Sequence, residues 1–412
     1  MTFENHASKL LVIAHTRFRV CAACVCFRCL HPPACYHADM WSVPDGLGRW
    51  TRRGLLLSGL ASRAFAEERP ALATLPSAWK RYTDPSTEFP VLRLTDPRHS
   101  SWLPPYYTRA IARHSSFLIY ATDAAGSPQP YRMDLHTGES RQLTDAAHFD
   151  PTAFALVPGE RGICYFDGPE LQTTQLSNAR PREVYRVPDG WARCPGLSVS
   201  GDGAFALFGE QQGNSSRLRT IGLHRGAART ILEAPWILSH PQPRPKRAQI
   251  LYRQADEALW LVDSDGTRNR KLPLAVGRIG PARWSPDGRT VLYLHFPADP
   301  AQLHAIRECT PDQNADRLVA PTSQYAHFGC NANTSVFVGA SRNRAAPYIL
   351  LLLRLTRREL ALCEHGASDA AMVAPIFSPD SQQIYFVSDR DGKPALYRVH
   401  VEQLVEKTDE SG

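Results

Sequence analysis

No stretch of this 412-residue chain is apolar for long enough to cross a bilayer; the strongest candidate, Tyr348 to Leu353 (YILLLL), is only strand length. The chain also lacks a G-x-S-x-G elbow, an H-E-x-x-H pair and a P-loop, so the hydrolase, zinc-protease and nucleotide chemistries that use them are without their usual signature. Excess charge is scarce once the N-terminus is set aside. The formal charge is +7, yet the first 66 residues hold eight Lys/Arg against three acids, and the other 346 carry 39 bases and 37 acids. So balanced a body makes a poor phosphate-binding surface, and no nucleic-acid partner is expected. With 21% charged and 43% hydrophobic residues the composition excludes wholesale disorder and a collagen-like chain. Thirty-three Pro and 26 Gly point to many turns, and the length accommodates one large repeat-built β domain.

The N-terminal basic excess has a targeting explanation. Thr51-Arg52-Arg53-Gly54-Leu55-Leu56-Leu57 has the form of a twin-arginine export signal, and the short apolar region after it runs into Ala64-Phe65-Ala66, an A-x-A cleavage site. The expected mature chain starts near Glu67, is periplasmic or secreted, and keeps no membrane span. Upstream, Cys21, Cys24, Cys26, Cys29 and Cys35 crowd together with His31 and His37, a spacing only loosely like a zinc or iron–sulfur site. Translation from Met40 would leave residues 40–66 as a conventional leader, and residues 1–39 then read as a mis-set start or a Cys-rich leader. The remaining cysteines, Cys164, Cys194, Cys309, Cys330 and Cys363, are scattered and odd in number, as buried thiols are and a disulfide framework is not.

The body repeats one phrase: a polar turn, a run of β-forming residues, a second turn and another strand. It is clearest in SPDGRTVLYL (Ser285 to Leu294) and SPDSQQIYFVSDRDGKPALYRVHV (Ser378 to Val401), with weaker copies elsewhere. Taking the sixth residue after the start of each phrase gives Leu118, Ile163, Ala206, Ile250, Val291, Val336 and Ile384, at spacings of 45, 43, 44, 41, 45 and 48. Seven copies of that length predict an all-β fold over residues 79–403, a seven-bladed β-propeller of four-stranded antiparallel sheets preceded by a leader and followed by a polar tail at 404–412. Pro90 to Thr95, ahead of the first copy, is an orphan strand that would complete the last blade and close the ring.

Several stretches narrow the reading. They are Arg81-Tyr82-Thr83-Asp84-Pro85-Ser86-Thr87, Val91 to Thr95, Val184 to Trp191, Trp236 through Ser239-His240-Pro241, Trp260 to Gly266, Ala326-His327-Phe328 and Ser388 to Tyr397. In these the chain resembles the oligogalacturonate lyases, seven-bladed propellers related in shape to TolB-like repeat proteins. The resemblance implies a carbon–oxygen lyase that cleaves pectin fragments by β-elimination: a base removes the C5 proton of a galacturonate and the C4 oxygen leaves. Charge then develops beside a carboxylate that is already anionic. In the family a manganese ion held largely by histidine meets it, with arginine helping.

On that resemblance His240 falls on the family's base and Arg217 on an arginine that neutralises the substrate carboxylate. His327 matches a family histidine of unassigned role. Arg109 and the Tyr106-Tyr107 pair precede the first repeat strand, from which they could reach the axis as substrate contacts. No metal ligands are expected, because Pro281, Met372 and Ala374 stand where the family has histidines. The partner implied is an oligogalacturonide or another acidic oligosaccharide. Two readings stay open, an exported lyase with impaired or metal-independent elimination, and a non-catalytic propeller that binds an acidic sugar or a protein partner through its axial face. Each residue also has a plain alternative: a strand-start histidine for His240, an inter-blade ion pair for Arg217, a buried satisfied imidazole for His327, and inter-blade packing for the tyrosines.

Overall fold

The computed structural model describes residues 72–255 and 257–408. The twin-arginine leader and the Cys-rich run therefore lie outside the described residues. The rest is built from seven antiparallel sheets, as the 44-residue period predicts. Blade 2 shows the plan, with Phe149–Leu156 innermost, then Gly162–Asp167, Glu170–Gln175 and Pro181–Arg186 outward. All seven markers fall on the second strand of their blades, for example Ile163 in Gly162–Asp167 and Val291 in Val291–Phe296. That strand is buried on both faces, so its sequence is the most apolar and repeats best.

Local chemistry fixes the turns between first and second strands. In Ser285-Pro286-Asp287-Gly288 the Ser285 hydroxyl donates to Asp287 at 2.6 Å, and Asp287 accepts the Arg289 N–H at 3.0 Å. Ser200 with Asp202 and Ser378 with Asp380 repeat the first bond, also at 2.6 Å.

Closure joins the two ends of the chain. Blade 7 is Ile376–Phe377, Gln383–Ser388 and Ala395–His400, completed by Pro90–Arg93 with Val91 opposite Val399. Blades 1 and 7 each carry a fifth, outermost strand that the repeat did not predict, Thr74–Leu75 on blade 1 and Lys80–Thr83 on blade 7. The described part of 404–408 packs back on blade 7: Val405 is buried, and its carbonyl accepts from Gln382 at 3.1 Å. Among the described residues no helix is long and apolar enough to cross a membrane, and the five scattered cysteines are free and buried.

In each blade the innermost strand is an edge, with one side toward the axis and no ladder partner there. Prolines, which cannot donate to a ladder, are tolerated in such strands. Pro151, Pro195, Pro241 and Pro281 each fall where the register slips, at Phe149/Phe154, Arg193/Leu197, Ser239/Gln242 and Ile279/Ala282. A fifth slip, at Tyr325/His327, has no proline. Such bulges re-aim side chains, here at the level where a propeller's ligands would sit.

Asp84 anchors the closure. Fully buried, it accepts the N–H groups of Ser86 and Thr87 at 3.1 Å and, across to blade 6, the N–H of Glu364 at 3.0 Å. Asp84→Ala strands these donors and is expected to lower unfolding free energy by about 2 to 3 kcal/mol, with Asp84→Asn intermediate, as read by chemical denaturation. A loss below about 0.5 kcal/mol would show that closure does not depend on this carboxylate.

Candidate functional site

The axis is filled from blade 1. Its innermost strand, Ser101–Trp102, stops before Pro104-Pro105, and pairing resumes only at an isolated bridge between Ile111 and Leu118. The intervening residues turn inward, with the Thr108 N–H returning to the Pro105 carbonyl at 2.7 Å. This excursion carries Tyr106 and Tyr107, whose rings meet edge to face with centroids 5.1 Å apart.

Each tyrosine touches a histidine named from the sequence. Tyr106 packs edge-on to His327 at 4.6 Å, and Tyr107 edge-on to His240 at 5.9 Å. The Tyr106 hydroxyl accepts the Ala282 N–H at 3.0 Å and donates to the Ala282 carbonyl at 3.1 Å, next to the blade 5 bulge, and the same carbonyl also accepts from Gln242 at 2.8 Å. Four of the six residues thus converge on the axis.

His240 is half-buried and adopts φ 50°, in the left-handed region, immediately before Pro241. A non-glycine residue held there is strained, and such strain persists where the surroundings impose it. Gly196, at the blade 3 bulge, makes room: a Cβ there would lie 2.6 Å from the Tyr107 hydroxyl and 2.7 Å from the His240 Cα.

His327 is 6% exposed, and its Nδ1 is buried without a hydrogen-bond partner among the described residues. Burial, reinforced by the positive charge of Arg283, pushes its pKa down to about 3, so the ring is neutral.

Arg217 is not part of this cluster. It lies on the third strand of blade 3, Ser215–Gly222, and its Nε donates to Glu210 at 2.6 Å while the guanidinium stacks 3.7 Å over Trp191. Glu210 is fully buried and also accepts from the Tyr185 hydroxyl at 2.8 Å, with Arg219 at 3.5 Å. Sequence reasoning named Arg217 and missed this counter-ion seven residues earlier, which only the strand register reveals. Arg109 lies beside Glu160 at 3.6 Å and lines a cavity of about 620 Å3 together with both tyrosines, Gln242 and Arg283.

A metal is poorly served here. Pro281 lies in the blade 5 bulge, Met372 in the short helix Ala370–Val373 and Ala374 at its C-cap, and none offers a donor suited to manganese. Among the described residues no group of three or more His, Cys, Asp or Glu converges on a common point. The described residues do not fit such an ion.

No family model matches the chain. Curated relatives do. An oligogalacturonide lyase of Pectobacterium atrosepticum is 24% identical over 382 residues, covering 80% of this chain and 98% of the relative. An oligogalacturonate lyase of Dickeya dadantii is 24% identical over 386 residues with the same coverage. This chain is similar to oligogalacturonate lyases over most of its length. Among solved structures, an oligogalacturonate lyase in complex with manganese superposes with a TM-score of 0.76 at 24% identity, and one from Vibrio parahaemolyticus with 0.75 at 22%, each covering 80% of this chain and 98% of the other. The resemblance read from the sequence is borne out, and so is the seven-bladed fold.

The neutral state of His327 has a thermodynamic consequence. Its folded pKa lies below the unfolded value of about 6.5, so the unfolded chain binds the extra proton first and stability falls as pH drops from about 6.5 toward 3, by at most about 1.4 kcal/mol per unit. Denaturation midpoints between pH 6.5 and 4 are expected to fall less steeply in His327→Gln than in the wild type. Parallel profiles would show that the folded state protonates His327 normally.

Proposed function

We propose that this protein is an exported oligogalacturonate-lyase-like propeller that cleaves galacturonides by β-elimination. The observation that carries this reading is the placement of His240: half-buried at the axis, in a bulge, in a left-handed conformation for which Gly196 leaves room. It is supported by the curated relatives, named oligogalacturonide and oligogalacturonate lyases, and by the Ser239-His240-Pro241 stretch, which on the family resemblance falls at the position of the base. His240 accepts the C5 proton, the electron pair moves into the C4–C5 bond, and the C4 oxygen leaves with its sugar. Arg109 and the tyrosine pair serve as substrate contacts, whereas Arg217, engaged by Glu210, and the buried His327 support the site from behind, and no step runs through a metal. Export through the twin-arginine pathway, to the periplasm or beyond, is the finer part of the proposal and rests on the Arg52-Arg53 leader.

A second reading is favoured by one observation: Pro281, Met372 and Ala374 replace the histidines that would carry the family's metal. On that reading the propeller binds an acidic sugar or a protein partner without turnover.

Di- and trigalacturonate incubated with the mature protein separate the two. The lyase reading expects rising ultraviolet absorbance from the unsaturated product, with kcat lowered at least about 100-fold in His240→Gln. No rise in the wild type, with or without added manganese, leaves the binding reading standing alone.

A further inference from the structure

We propose that the axial cavity is a binding site for a carboxylate-bearing sugar, held by Arg283. The cavity occupies the end of the axis where inner strands turn into second strands, since Pro158, Gly201, Lys246, Asp287, Ala332 and Pro379 all belong to those turns. Its volume of about 620 Å3 suits one or two pyranose rings. Neither His240 nor His327 lines it; each touches a tyrosine that does. Tyr106, Tyr107 and Arg109 also line it, so the inference rests on the galacturonide reading above and adds Arg283 to it, while binding at Arg283 can be measured without turnover.

The charge of the lining is uneven. Arg109, Arg113, Lys246 and Arg283 face Glu160 and Asp287, and both acids are engaged. Glu160 accepts the Arg113 N–H at 2.6 Å and pairs with Arg109 at 3.6 Å, while Asp287 is held in its own turn by Ser285 at 2.6 Å and the Arg289 N–H at 3.0 Å. Arg283 differs. It extends from the blade 5 inner strand, its Nε is buried, and among the described residues it has neither a hydrogen-bond acceptor nor a carboxylate partner. Arg244 and Arg253, which do not line the cavity, are by contrast satisfied: Arg244 by Asp312 at 2.8 Å, and Arg253 by the carbonyls of Ile279 and Gly280 at 2.7 and 2.6 Å.

Half-buried at the cavity wall and without an acceptor, this guanidinium is open to a carboxylate that meets its two-pronged geometry, and the bonds so formed are charge-assisted. The rest of the ligand follows from the walls. Tyr106, Tyr107, Trp284 and Phe377 offer apolar ring surface, which suits the C–H face of a sugar and gives nothing to an inorganic anion.

Calorimetry with galacturonic acid tests this directly, because the monomer has no glycosidic bond to eliminate and its binding is independent of lyase activity. Galactose and inorganic phosphate are titrated alongside. Galacturonate is expected to bind at least about tenfold more tightly than galactose, Arg283→Gln to weaken galacturonate by at least about tenfold, and Arg283→Lys, which keeps the charge and guards against misfolding, to fall between. Equal affinity for galactose, unchanged galacturonate binding in Arg283→Gln, or phosphate bound more tightly than galacturonate would each overturn the assignment.

Discussion

Seven sheets that each have two apolar faces must find a neighbour on both sides, and only a closed ring gives every one of them that. Closure here depends on the strand Pro90–Arg93 pairing with Ala395–His400, some 300 residues away in sequence. Val91 and Val399 meet at that seam inside a core shared with Val338, Ile349 and Phe386 of blades 6 and 7. The Asp84 turn ties the same N-terminal segment to blade 6. A ring so closed has an unavoidable by-product. The innermost strand of every blade keeps one unpaired edge, and seven such edges face one another around the axis.

What fills the axis is therefore set by side chains and irregular backbone, because no ladder can reach across it. The tyrosine excursion of blade 1 is one answer. Pro104-Pro105 end strand pairing, and Tyr106 then bonds both backbone groups of Ala282 opposite, so an irregularity in one blade ties it to another across the axis. Pro281 fits this arrangement as a packing residue that would otherwise interrupt a ladder. The same position could hold a metal-binding imidazole only with other donors nearby, and the described residues bring none together.

Much of the ring was legible because it is local. The Ser-Pro-Asp turn closes on its own aspartate, and the markers repeat because each second strand meets the same buried environment. The two outermost strands from the N-terminal segment were not legible, being short and outside the repeat. Within the site, His240 and the tyrosines were reachable from resemblance and position. Arg283 was missed for a physical reason: the bulge between Ile279 and Ala282 breaks the alternation of the strand, so the side on which residue 283 emerges cannot be read from its neighbours. Asp84, prominent in the stretch that narrowed the resemblance, emerges as a buried structural anchor.

The two arginines most relevant to an acidic sugar are in opposite electrostatic situations. Arg217 already neutralises Glu210, and to leave it for a substrate would deprive a fully buried carboxylate of its 2.6 Å partner, a loss only partly covered by Arg219 and Tyr185. Arg283 gives up no partner when an anion arrives. The neutral ring of His327 adds no further positive charge beside it. If negative charge on a uronate is to be met in this propeller without a metal, the lower cost lies with Arg283. Arg217 then serves the blade 2 and blade 3 interface, and the binding surface shifts toward the turn end of the axis.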